Sequence, residues 1–131
     1  MSAQNVELVR GSFEHFVATG TPRWSALHED IEIHDHDMLD AREYTGHAGF
    51  QRWLEDWAAA WSQFSVEPAH EYIDAGADVV MVYRLTATGR ASGVTIDRED
   101  AMVGRVTEGQ IARIDYYNNR AEALKQVGLE G

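Results

Sequence analysis

The sequence predicts an α+β domain in which helices layer against a run of consecutive antiparallel strands. Two observations carry this. The first half of the chain is mainly helical in its apolar spacing, with one short alternating strand inside it. The second half alternates in period two between turn residues and ends in one more helix. Strands grouped in this way, with helices on one side, make a layered α+β domain and not a doubly wound sheet. The 131 residues hold no repeat, low-complexity tract or linker, so 1–131 reads as a single domain with one sizeable core.

Val6, Val9, Phe13, Phe16 and Val17 recur at helical spacing, which predicts a first helix from about Ala3 to Ala18. Gly11 weakens it by roughly 1 kcal/mol relative to alanine. Thr19-Gly20 ends it, and Thr21-Pro22 starts a short second helix carrying Trp24 and Leu27. Ile31 and Ile33 alternate with Glu32 and His34 as a strand, and Tyr44-Thr45-Gly46 then reads as a loop. A third helix carries Phe50, Trp53, Leu54, Trp57, Ala58 and Trp61 on one stripe, a broad apolar face for a sheet. That stripe reads as core, or, in part, as a pocket wall formed by Trp53 or Trp57.

Phe64 to Asp74 alternates as a strand, on which His70 and Tyr72 share a face. Val79 to Thr88 is apolar on both faces, which predicts an inner strand covered on both sides. A Gly89–Gly93 turn leads into Val94 to Val106, and Glu108-Gly109 makes a tight hairpin into Ile111 to Asn118. Asn119 with Glu122 forms a capping box for the last helix, and Gly128 stops it. Because both faces of the strands are apolar, a homodimer through the sheet face is expected.

Composition excludes several classes of function. There are no cysteines, so disulfides, thiolate chemistry and cysteine-rich zinc sites are ruled out. Eleven basic residues against 22 acidic ones give a net charge of −11, with no basic footprint for nucleic acid or an anionic membrane. The N-terminus reads as neither signal peptide nor anchor, so the expectation is a soluble, cytoplasmic protein. Seven acids crowd between Glu29 and Glu43, either as a solvated face or as a place where carboxylates raise one another's pKa. His34 and His36 have metal-ligand spacing, but no third ligand such as His70 or Asp37 is brought near, and neither metal nor cofactor is expected.

Three segments resemble a known family. Tyr44-Thr45-Gly46-His47-Ala48-Gly49-Phe50 is similar to the loop opening the third helix of SnoaL-like proteins, within the nuclear-transport-factor-2-like superfamily. Arg90-Ala91-Ser92-Gly93-Val94 is similar to their mid-sheet turn. Thr107-Glu108-Gly109-Gln110-Ile111, with Asp115-Tyr116-Tyr117 and Ala121-Glu122-Ala123-Leu124, is similar to their C-terminal ending. The resemblance implies a cone, a strongly bent sheet wrapped around helices, with an apolar pocket for a small apolar or carbonyl-bearing ligand. It does not fix the chemistry, because the fold hosts isomerases, cyclases, dehydratases, epoxide hydrolases and plain binders.

Asp35 stands where ketosteroid isomerase carries its base, just after the first strand. The same resemblance puts Phe13 and Met102 where that enzyme has its two oxyanion donors, and neither side chain can donate. Limonene-epoxide-hydrolase-like enzymes use an arginine between two aspartates. Arg84 matches that arginine, while the aspartate positions fall on Thr86 and Tyr116, or on Asp115 after a one-residue slip. Aldol cyclases of the SnoaL type pair aspartate with histidine, as Asp35 could with His34, His36 or His70. The candidate site is therefore Asp35 as base or, alternatively, as a turn cap, with Arg84 or Tyr116 to polarise an oxygen. Arg84 reads equally as a structural partner of an acid such as Asp100. Phe13, Trp53, Trp57, His70, Tyr72, Met102 and Asn118 are the candidate pocket wall. The alternative to a cofactor-free isomerase, cyclase or dehydratase is a pocket-bearing binding or accessory protein.

Overall fold

A computed structural model describes residues 2–37 and 43–129, so Asp40 and Arg42 of the acidic run lie outside the described residues. Helix α1 (Ser2–Thr19) is followed by a single 3-10 turn (Trp24–Ala26). Strands β1 (Leu27–Asp35) and β2 (Glu43–Thr45) lead into α2 (Gly46–Ala59). Then come β3 (Trp61–Val66), β4 (Glu71–Ala75), β5 (Asp78–Gly89), β6 (Thr95–Thr107) and β7 (Gln110–Tyr117), and the chain's last helix, α3 (Arg120–Gln126). The sheet runs β2-β1-β7-β6-β5-β3, with β4 also pairing β5. All pairs are antiparallel except β1 with β7. No helix among the described residues is long and apolar enough to cross a membrane.

The inner strand is β5, held by β6 on one side and by β3 and β4 on the other. Its Val79, Met81 and Tyr83 face the main core with Val9 and Phe13 of α1 and Phe50 and Trp53 of α2. The sheet curls around these two helices. Val80 and Val82 face outward, and together with Ala101 and Val103 they pack under Ala123 of α3. Helix α3 thus covers this apolar patch of the outer face within the chain. The tight β6–β7 hairpin follows from Glu108 and Gly109, whose φ angles of 52° and 77° suit a primed turn.

Four elements differ from the sequence expectation. Trp24 lies in a three-residue 3-10 turn, and Leu27, the next residue after it, already opens β1. Tyr44 and Thr45 form β2, paired with Ile33 and Glu32, where a loop was expected. Helix α2 ends at Ala59, so Trp61 belongs to β3 and the tryptophan stripe on the helix is Trp53 and Trp57 alone. Phe64 to Asp74 is two strands. Val66 pairs Leu85 and Glu71 pairs Val82, so four residues on one side oppose two on β5. Pro68 lies in that excess and has no N–H to give to the ladder.

Candidate functional site

The helices and the concave face of the sheet enclose a cavity of about 100 Å³. Phe13 and Phe16 of α1, Phe50, Trp53 and Trp57 of α2, and Met81, Met102 and Ile114 of the sheet are among the residues that line it. Of the candidate pocket residues, Phe13, Trp53, Trp57 and Met102 lie on this wall, and so does Tyr116. Tyr116 stands across from Met102 on one side and from Asp35 on the other, so the three occupy one row of the sheet.

Asp35 is buried, at 2% exposure, on the concave face next to Ile33. Its Oδ2 accepts the Trp53 indole N–H at 2.7 Å, and its Oδ1 accepts the Asp37 amide N–H at 2.9 Å. The second bond makes Asp35 a turn cap and the first ties it to the cavity wall. The cap role expected as an alternative for Asp35 is therefore present, on a side chain that also touches the cavity wall.

Arg84 goes elsewhere. It is exposed on the outer face, where its Nε donates to Asp97 at 2.7 Å. Asp35 and Arg84 do not meet at one void. The reason is parity. Val79, Met81 and Tyr83 take the concave side of β5, which puts Arg84 with Val80 and Val82. His70 is likewise outside, bonded to Glu99 at 3.0 Å, because the excess at Pro68 breaks the face it was expected to share with Tyr72. Tyr72 packs against the main core under the Arg10 guanidinium, 4.7 Å from its ring centre, and is not on the cavity wall. Asn118 lies beyond the end of β7 and donates to Asp37 at 2.7 Å. His34 bonds Glu32 and Glu43, and His36 bonds Asp115 and stacks on Tyr117 at 4.4 Å, all opposite to Asp35. No group of three or more potential metal ligands forms among the described residues.

In place of Arg84 the concave face carries Arg98 and Asp100, two residues the sequence reading did not place in the site. They share the side of β6 that holds Met102 and Gly104. Arg98 Nε donates to Asp100 at 2.6 Å, and its Nη2 reaches Asp37 at 3.0 Å and the Tyr116 hydroxyl oxygen at 3.2 Å. The Tyr116 hydroxyl in turn donates to Asp100, which is completely buried. A search of β6 for residues in step with Met102 would have found both.

Burial sets the protonation tendencies of this network. It pushes the Asp100 carboxyl above the usual carboxylate range, although hydrogen bonds from Arg98 and Tyr116 pull the other way. Burial also raises Tyr116, and the neighbouring Asp100 charge adds to it. Tyr83, opposite Asp100 on β5 and on the cavity wall, is raised well above ordinary by burial and then by Tyr116 and Asp100. Two carboxylates, Asp37 and Asp100, thus share the Arg98 guanidinium, and Asp35 is tied to the same cluster through the Asp37 amide.

The fold is shared with proteins of low sequence identity. An NTF2-like protein from Burkholderia xenovorans is similar at 21% identity and a TM-score of 0.73, with 97% of each chain covered. TerC co-crystallised with polyporic acid is similar at 17% identity and a TM-score of 0.72, covering 95% of this chain and 98% of that one. A putative SnoaL-like polyketide cyclase from Jannaschia sp. matches at 16% identity and a TM-score of 0.71, covering 98% and 94%. No curated protein matches the sequence. The family described as SnoaL-like domain matches residues 9–114, and the chain belongs to that family.

Proposed function

We propose that this chain binds a small, mostly apolar, oxygen-bearing molecule in the cone and moves a proton next to its carbonyl. The reaction class is cofactor-free isomerisation, cyclisation or dehydration. The observation that carries this reading is that two cavity-wall residues, Trp53 and Tyr116, each bond a buried carboxylate, Asp35 and Asp100. Buried carboxylates beside an apolar cavity are costly to keep for packing alone. Asp35 takes a proton from the carbon beside the carbonyl; the C–H electron pair becomes the new C=C bond and the carbonyl π pair moves onto the oxygen. Tyr116 turns its hydroxyl to that oxygen. Arg98 keeps Asp100 paired while it does so, across 2.6 Å. Return of the proton to another carbon completes an isomerisation. The TerC structure with polyporic acid supports a small-molecule ligand, and the putative polyketide cyclase supports the reaction class.

A second reading is water addition to an epoxide. Arg98 lies between Asp100 and Asp37, at 2.6 and 3.0 Å, which is the arrangement expected of limonene-epoxide-hydrolase-like enzymes. Pairing of two copies through the sheet, also expected from the sequence, would have to use outer surface beyond the footprint of α3.

The test is hydrogen exchange in D2O with a panel of small cyclic ketones, read by proton NMR, alongside hydrolysis of cyclohexene oxide. Exchange beside the carbonyl that slows about 100-fold or more in Asp35→Asn and Tyr116→Phe supports the first reading. Ligand-induced shifts without any exchange or hydrolysis leave a binding protein and reject turnover.

A further inference from the structure

We propose that the ligand of the cone carries a carboxylate, and that Arg23 at the cavity mouth holds it. The substrate class is then a small carboxylic acid with an apolar body of about one ring and an oxygen function at its far end. This deepens the proposed function and rests on the same cavity.

Arg23 lies on the cavity wall and is exposed, so the cavity meets solvent there. Its guanidinium makes no ion pair or hydrogen bond among the described residues. Arg84, Arg98, Arg105, Arg113 and Arg120 each bond a carboxylate. In a chain with 22 acids and 11 bases, a base left unpaired on the wall of an apolar cavity stands out. Such a group attracts an anion, and its planar fork suits a carboxylate in particular.

The seat of Arg23 is shaped by α1. A side chain at Gly11 would bring a Cβ within 3.1 Å of the Arg23 Nη1. Glycine in the middle of an 18-residue helix costs helix stability, and here its missing side chain is the space the guanidinium packs into. Ser12 and Phe13, the next residues of α1, line the same cavity.

The two ends of the cavity have opposite character. Arg23 precedes the turn that leads to Leu27, and Leu27 pairs with Ile111 at the start of β7. Tyr116 stands five residues further along the same strand, which places the two rows roughly 17 Å apart at about 3.4 Å per residue. Arg23 and Tyr116 both line the cavity. A ligand lying between them meets a cation at the mouth, apolar wall along its body, and the Tyr116 hydroxyl at the acidic end. The acidic end repels a carboxylate, so the orientation has one sense. Size follows from volume: a cavity of about 150 Å³ takes up benzene, and this one is about 100 Å³ with an open mouth. The closed part is smaller than that, so one ring reaching into the open mouth, with its carboxylate there, is the upper limit of size.

The experiment compares three probes on the whole protein by calorimetry and proton NMR: 4-oxocyclohexanecarboxylate, its primary amide, and cyclohexanone. Wild-type protein is expected to bind the carboxylate at least about tenfold more tightly than the amide, with the preference weakening in high salt. Arg23→Gln is expected to remove that preference and leave amide affinity unchanged. Equal affinity of wild-type protein for carboxylate and amide overturns the proposal. So does an Arg23→Gln variant that weakens both alike or neither. If the amide and cyclohexanone bind without any carboxylate preference, this inference fails and the cone as ligand site stands. If none of the three binds, both fall.

Discussion

The indole N–H of Trp53 and the carboxylate of Asp35 join helix α2 to the end of strand β1 across 2.7 Å, both side chains being almost fully buried. This bond couples the candidate base to the cavity wall, and the two partners predict different losses. Trp53→Phe keeps an aromatic ring but removes the donor and part of the buried indole. It is expected to cost at least about 1.5–3 kcal/mol, the usual range for a hydrogen bond to a charged group, with the small void adding to it. Asp35→Asn keeps an oxygen for the Trp53 N–H but turns its NH2 toward the Asp37 N–H, so stability should fall by about 1–3 kcal/mol while turnover falls about 100-fold. Urea melts and ketone exchange measured on both variants check this. Loss of turnover only in step with loss of folded protein would show Asp35 to be a structural cap and nothing more.

Helix α2 offers a second comparison. Trp53 is buried at 5% exposure, with Phe50 edge-on to it at 5.7 Å. Trp57 is only partly buried and leans on Phe64, itself 45% exposed. Trp53→Ala is therefore expected to cost about 3–5 kcal/mol, and Trp57→Ala clearly less. Denaturant midpoints for the two variants measure the difference, and a larger loss at Trp57 would contradict this placement of the stripe.

Two buried aspartates should shape the acid limb of stability in opposite directions. For Asp115, burial pushes the pKa up, but the bonds and charges of Arg113 and His36 outweigh it and hold the carboxyl below the usual range. Its contribution is present above the unfolded value of about 3.9 and is lost as pH falls through the lower folded value. Asp100 is raised, chiefly by burial, so its contribution is present below the unfolded value and is lost as pH rises through the folded one. Asp115→Asn should flatten the loss of stability below about pH 4. Asp100→Asn should flatten a decline that starts above it. Melts from pH 3 to 7 on both variants test the signs, and curves parallel to wild type in either case would refute the assignment for that residue.

How far the site could be read from the chain depended on parity and its interruptions. The Glu108-Gly109 hairpin, the Asn119 cap, whose side chain accepts the Glu122 N–H at 2.9 Å, and the inner position of β5 were legible because local chemistry determines them. The side of β5 that faces the helices was not. Both sides are apolar, so nothing along the strand says that Arg84 points out and Tyr83 points in. On β6 the information was present: Arg98 and Asp100 are in step with Met102, a residue already placed in the pocket by resemblance. His70 was lost to the irregularity at Pro68, because it lies between β3 and β4 in a segment outside the ladder, where alternation does not set the direction of a side chain.

Helix α3 decides how the outer face of the sheet behaves. Its seven residues cover Val80, Val82, Ala101 and Val103, all at 2% exposure or less. Three contacts seat it: Ala123, completely buried on the patch; Arg120 on Glu71 at 2.8 and 3.0 Å; and Tyr117 with Gln126. So short a helix has little stability of its own, and it stays folded because this seat exists. Ending the chain at Asn118 would open a contiguous apolar patch on a sheet whose strands are already fully paired there. Such a patch drives association in water. The truncated chain is therefore expected to dimerise or aggregate at micromolar concentration, with dye binding to exposed apolar surface, while β-sheet circular dichroism is largely kept. Arg120→Ala, which loosens the seat without removing the helix, should shift the same balance less, because a surface ion pair is screened by solvent. Light scattering on the intact, truncated and Arg120→Ala chains separates the cases. A truncated chain that scatters like the intact one would mean that α3 is not what keeps the outer face from pairing.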